Sequence, residues 1–256
     1  MNDDKLHHVI TRWARLGILF NTATAKREVD IERLLLETAR CAHASSRLFI
    51  LAVTWLTQYG QYVAKHRLTR LIRQELQAEH QPTMGLLLDL SREKSDANSH
   101  RFNQAIQACG AAIDQRPLFD IDRLNDFFIR TARQNASALS IKWGRWMADF
   151  ELKLDAIRPA SWIIRHNPTM QWRADFKGDL RASILASLEA DPDSGASESE
   201  LARACNATRA AIVDAVGKLE LSGRVSRQRM QNRWTIRPTK AETPGRSGDR
   251  PGVKMH

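Results

Sequence analysis

The stretch from Ser197 to Arg237 reads SESELARACNATRAAIVDAVGKLELSGRVSRQRMQNRWTIR. Ser197 with Glu200 three residues later is a capping box, which opens a helix by satisfying its first free amides. Leu201, Ala202 and Cys205 then fall on one face of a short helix. Asn206-Ala207-Thr208 makes a tight turn, and Thr208 is a suitable N-cap for a second helix. That helix turns Ile212, Ala215, Val216 and Leu219 inward, and Ser222-Gly223 stops it, glycine being suited to a left-handed C-terminal cap. Val225 and Trp234-Thr235-Ile236 read as two short strands, with Ser226 to Arg233 as the hairpin loop between them and Trp234 closing the core.

Outward from this stretch, Phe176, Leu180, Ile184, Leu185 and Leu188 form a preceding amphipathic helix, ended by Asp191-Pro192. The order of helix, helix, three-residue turn, helix and basic hairpin resembles the winged helix-turn-helix family over residues 175–238, about a quarter of the chain. The resemblance implies that the helix from Thr208 to Leu221 is a recognition helix that places Asn206, Thr208 and Arg209 near DNA base edges. It also implies that the hairpin is a wing, where Arg224, Arg227, Arg229, Arg233 and Arg237 would meet phosphates or a minor groove. Lys218 is the one further basic group on the outward face of the helix; Val213, Asp214 and Gly217 depart from the arginine- and lysine-rich face usual in DNA-binding members.

The first 157 residues read as a succession of helices. Asp30 to Ala42 carries Ile31, Leu34 and Leu35 at helical spacing, and Ser45 and Ser46 can cap a helix through Leu56 that is apolar nearly all round and therefore central. A basic amphipathic helix follows from Gln61 to about Glu79, and Thr83 can cap a short helix with Leu86, Leu87, Leu88 and Leu90 before a polar loop at 91–99. Phe102, Ile106 and Cys109 mark another short helix, and Asp120 can cap one holding Leu124, Phe127 and Phe128. Ser137 is read as opening a long helix with Leu139, Trp143, Trp146, Met147, Phe150, Leu154 and Ile157 in one stripe. The fold class is thus mainly α: an N-terminal helical bundle (1–165) and a C-terminal winged helix (172–238) of three helices and a small β-hairpin, with the boundary between 158 and 174. Residues 239–256, rich in Gly and Pro, read as a disordered tail.

Of 256 residues, 43% are hydrophobic and 27% charged, a globular composition. The longest apolar run, around Leu48–Val53 and Trp55–Leu56, is shorter than the roughly 20 residues that cross a bilayer. The opening Met1-Asn2-Asp3-Asp4 lacks the basic-then-apolar pattern of a signal peptide. Three widely spaced cysteines, Cys41, Cys109 and Cys205, argue against a disulfide framework and for a reducing cytoplasm. None of the eight histidines falls in an HExxH spacing, and no glycine-rich phosphate loop or GxSxG elbow occurs, so no spacing argues for an enzyme, a metal or a cofactor.

Lys and Arg outnumber Asp and Glu by 39 to 29, a formal charge of +10 that favours a polyanionic partner. The leading expectation is a DNA-binding transcriptional regulator, a repressor by analogy, whose helical domain forms a homodimer or senses a small-molecule or protein effector. The alternatives are a non-enzymatic adaptor whose winged helix contacts protein, and a nucleic-acid enzyme with an acidic or metal-binding cluster in its helical core.

Overall fold

In the computed structural model, which describes residues 3–95, 100–230 and 233–239, the apolar stripes of the first helices turn inward on one another. They are α1 (Asp3–Arg15), α2 (Ile31–Cys41), α3 (Ser46–Tyr59), α4 (Lys65–Glu75), α5 (Gln81–Glu93) and α6 (Asn103–Gln107). Asp30 caps α2 and Ser45 caps α3, each side chain accepting the amide three residues on. Helix α3 is buried on most of its circumference, as its composition predicts. So is α5, where every residue from Pro82 to Ser91 is buried. It packs against α2, α3 and α6 and lies at the centre of the bundle. At Gly85 the ring of Trp143 lies where a side chain would be, since a Cβ there would stand 2.3 Å from it.

The chain between α6 and α9 departs from its helical spacing. The expected long helix after Ser137 is only α8 (Ala138–Lys142). Gly144 has φ of +64°, which stops the helix, and Arg145–Trp146 (β2) then pairs in parallel with Arg116–Pro117 (β1). The Trp143, Trp146 and Met147 side chains remain buried, so the stripe is a packing pattern carried by extended chain rather than by a helix. Asp120 begins a 3-10 turn, and Asn125, not Asp120, caps α7 (Asp126–Gln134). The basic helix read over 61–79 is confined to Lys65–Glu75, and the supposed polar loop at 91–99 is still α5 through Glu93.

The C-terminal elements are α9 (Ala160–His166), α10 (Thr169–Phe176), α11 (Leu180–Ala190), α12 (Glu198–Ala204), α13 (Arg209–Leu221), β3 (Val225–Met230) and β4 (Arg233–Pro238). Phe176 does not belong to the helix of Leu180–Leu188: Lys177 and Gly178 both take positive φ and break the chain between α10 and α11. A second apolar cluster, separate from that of the bundle, gathers Ile184, Leu188, Leu201, Ile212, Leu219, Val225 and Ile236. Among the described residues no helix is long and apolar enough to cross a membrane. Residues 240–256, expected as a tail, lie outside the described residues.

Helix α10 touches both clusters. Met170 is buried in the first, while Trp172 and Phe176 pack on the second. Between them Arg173 enters the bundle and donates to Glu32 at 2.7 and 3.0 Å and to the Tyr62 carbonyl at 3.0 Å. Glu32, with no solvent exposure, also accepts from Arg67 at 2.7 Å and from the Ala64 amide at 2.8 Å. Arg67 spans back to Asp30 at 2.6 and 2.5 Å.

Removing one member of a buried pair leaves an uncompensated charge and costs about 3–5 kcal/mol, whereas replacing both by apolar groups is often near neutral. Glu32→Leu is therefore expected to lower the urea-unfolding free energy by that amount, and Glu32→Leu with Arg173→Met by clearly less. Burial pushes the Glu32 carboxyl up, but Arg173 and Arg67 hold it below its ordinary value of 4.5. A folded value below the unfolded one stabilises fully above about 4.5 and is lost as pH falls through the folded value. The urea midpoint of the unaltered protein should thus drop more steeply below pH 5 than that of the double variant.

Candidate nucleic-acid interface

Helices α12 and α13 meet across Cys205-Asn206-Ala207. Asn206 makes the turn by adopting φ of +48°, a conformation asparagine tolerates better than most residues. Its Nδ2 is buried without a hydrogen-bond partner. Ser197 accepts the Glu200 amide at 3.1 Å and so caps α12. The Glu200 carboxylate does not return the bond and pairs with Arg203 instead, leaving half of the expected capping box unmade. Thr208 caps α13 by accepting from the Ala211 amide at 3.3 Å, and is exposed there. Gly223, at φ of +67°, closes α13 as expected, with the Arg224 amide bonded to the Leu219 carbonyl at 2.9 Å.

The outward face of α13 is largely neutral. Arg209 donates to Glu198 at 3.3 Å and Lys218 to Asp214 at 2.8 Å. Between them lie Ala210, Val213 and Gly217, and a Cβ at Gly217 would meet nothing within 4 Å. The exposed N-terminal turn and this shallow face would let another surface come close to the helix backbone.

The hairpin is longer in strand and shorter in loop than its sequence indicates. Residues 226–230, read as loop, continue β3, with Arg227 opposite Ile236 and Arg229 opposite Trp234. Alternation in a strand puts Val225, Arg227 and Arg229 on one face. Because Val225 is buried, Arg227 lies on the core side, where Glu198 at 3.7 Å and Glu220 at 3.6 Å face it. Arg224 stacks over the Trp172 ring at 5.2 Å, and Arg237 donates to the Pro192 carbonyl at 3.1 Å. Arg229 stands exposed beside Trp234, which is 56% exposed and does not close the core as expected; Ile236 does. Arg233 opens β4, and its side chain lies outside the described residues, as do Gln231 and Asn232.

Of the four hairpin arginines whose side chains are described, three are thus engaged within the protein. Residues 180–239 carry nine basic and seven acidic groups, so the overall charge of +10 is not concentrated here. Sequence reading missed Glu198, which faces both Arg209 and Arg227 from 11 and 29 residues away and carries no local signal beyond its place at a helix start. Burial pushes the Cys109 thiol up to about 12 and Cys205 up to about 11, and it raises Cys41 as well, all away from the thiolate form. No group of three or more His, Cys, Asp or Glu able to hold a metal occurs among the described residues. Compared with protein-family models, curated proteins and solved structures, the chain matches none of them.

Thr208→Ala removes the cap of α13 and is expected to cost about 1 kcal/mol. Asn206→Ala forces an alanine into the left-handed region and should cost about 1–2 kcal/mol, while Asn206→Gly should cost less. Urea denaturation of the full chain measures both, and equal losses for alanine and glycine at 206 would mean that the side chain, not the backbone, matters there.

Proposed function

We propose that residues 172–238 form a winged helix-turn-helix module that binds duplex DNA, and that the protein is a DNA-binding transcriptional regulator of the repressor type. One observation carries this reading: two helices meet across a tight left-handed turn, and a basic two-stranded hairpin follows the second helix. On this reading Arg209 reads a guanine edge at the start of α13 and Arg229 meets a backbone phosphate. The helical part then dimerises or takes an effector.

The ion pairing of Arg209 does not oppose this role. A surface ion pair is worth about 0–1 kcal/mol, whereas a bidentate guanidinium–guanine contact discriminates by about 1–3 kcal/mol. Arg209 can therefore exchange Glu198 for a base. A protein-contacting adaptor is the second reading, supported by the exposed apolar groups Val213 and Leu221 on the α13 face and by Trp234 on the hairpin.

Fluorescence anisotropy on random and selected duplexes across a salt series separates the two. Arg229→Ala is expected to reduce the slope of log affinity against log salt by about 0.9, the loss of one phosphate contact, while Arg227→Ala leaves it unchanged. Arg209→Ala should relax preference at one base pair with little effect on random duplex. Absence of binding at low salt would overturn the DNA reading and favour the adaptor.

A further inference from the structure

A polar cleft of about 210 Å³ opens on the helical bundle where β1 and β2 meet the start of α5. Arg116 and Arg145 are register partners in that parallel pair. Like charges placed side by side on adjacent strands repel, so their juxtaposition calls for compensation. Arg123 joins them from the turn Asp120–Arg123, while His43 and His80 complete the basic lining.

Three carboxylates partner this charge, and two of them, Glu79 and Asp120, line the cleft themselves. Asp114 serves both Arg116 at 3.2 Å and Arg145 at 3.3 Å. Asp120 serves Arg123 at 3.0 Å and His43 at 2.7 Å, and Glu79 lies 3.2 Å from His80. All three carboxylates are more than half exposed, whereas the Arg145 side chain is only 3% exposed and Arg123 only 26%. The Arg145 and Arg123 guanidinium groups therefore lie deeper than the carboxylates that partner them. Backbone carbonyls fix the inner pair: Arg123 donates to Pro117 and Leu118, and Arg145 to Asp114 and Gly144. Arg116, 44% exposed and paired with Asp114, is the most exposed of the three guanidinium groups, against 26% for Arg123 and 3% for Arg145. His80 occupies the N-cap position of α5 without making a side-chain cap bond, and it lines the cleft together with Thr83.

We propose that this cleft binds a small phosphate-type anion, held by Arg116, Arg123 and Arg145 with His43 and His80 at its edge. Guanidinium groups suit the planar, multidentate recognition of phosphate oxygens. The volume falls below the 300–1,000 Å³ or so that accommodates larger organic ligands, so a phosphate or pyrophosphate group is taken rather than a whole nucleotide. Burial and the neighbouring Arg116 lower the affinity of Arg123 for its proton against the pull of Asp120 and Asp114, and the same two causes act on Arg145 against Asp114. An anion between them would relieve that mutual repulsion. The site stands on residues of the bundle alone and does not depend on the DNA reading.

The test is calorimetric titration of the full chain with inorganic phosphate and with pyrophosphate, at ionic strength matched with chloride. Saturable one-to-one binding is expected, at least tenfold weaker in Arg116→Ala and in the milder Arg116→Gln, and unchanged in Arg229→Ala. Histidine imidazole resonances provide a readout independent of variants: His43 and His80 should shift on titration while His7 and His8 on α1 stay in place. Absence of saturable binding, or its loss in Arg229→Ala rather than at Arg116, would overturn the site. A 5′-phosphorylated oligonucleotide displacing pyrophosphate at lower concentration than free phosphate would also overturn it, by assigning the cleft to nucleic acid.

Discussion

A single carboxylate without access to water, Glu32, holds two guanidinium groups that arrive from distant parts of the chain. A charge so placed is tolerable only when its partners are fixed and its remaining lone pairs are occupied. Arg67 from α4, Arg173 from α10 and the Ala64 amide meet both conditions. The arrangement determines how the helix–hairpin segment joins the bundle. It is reinforced at the same spot by Gly178, where an added Cβ would stand 2.6 Å from the Val63 carbonyl. Tyr62 to Ala64 is thus the seat on which α10 and the turn after it rest, and only glycine allows the backbone to lie that close.

The helical elements were legible where local signals and burial agree. Ser45, Ser197 and Thr208 are caps in sequence and in structure, and the central place of α3 follows from its apolar circumference. The run from Leu139 to Ile157 misled because spacings of three and four also arise by chance in extended chain, and Gly144 was the only local warning. Lys177-Gly178 similarly divides an apolar stripe that reads as one helix through Phe176 and Leu180.

The candidate interface was legible in outline and not in its charge balance. The order of elements can be read along the chain, because each turn carries its own signal. Which arginines are free cannot, since that depends on acids brought close only by folding. Arg227 and Arg229 are equivalent in sequence and share a strand face, yet one approaches Glu198 and Glu220 at the core margin and the other remains exposed near the tip. The cleft at Arg116 and Arg145 was hidden for the same reason: its members are spread from His43 to Arg145, and a two-residue parallel bridge has no sequence signature.

Glu198 gives the helix–hairpin segment a property that neither arginine alone would have. It is a common counter-ion for Arg209 and Arg227, so the two guanidinium groups share one negative charge. A ligand that draws Arg209 away leaves that carboxylate wholly to Arg227, which tightens the inner pair as the outer one opens. The surface around Glu198 is therefore nearly neutral. A polyanion offering phosphates alone gains little by displacing Glu198, whereas one that also presents an acceptor edge gains more.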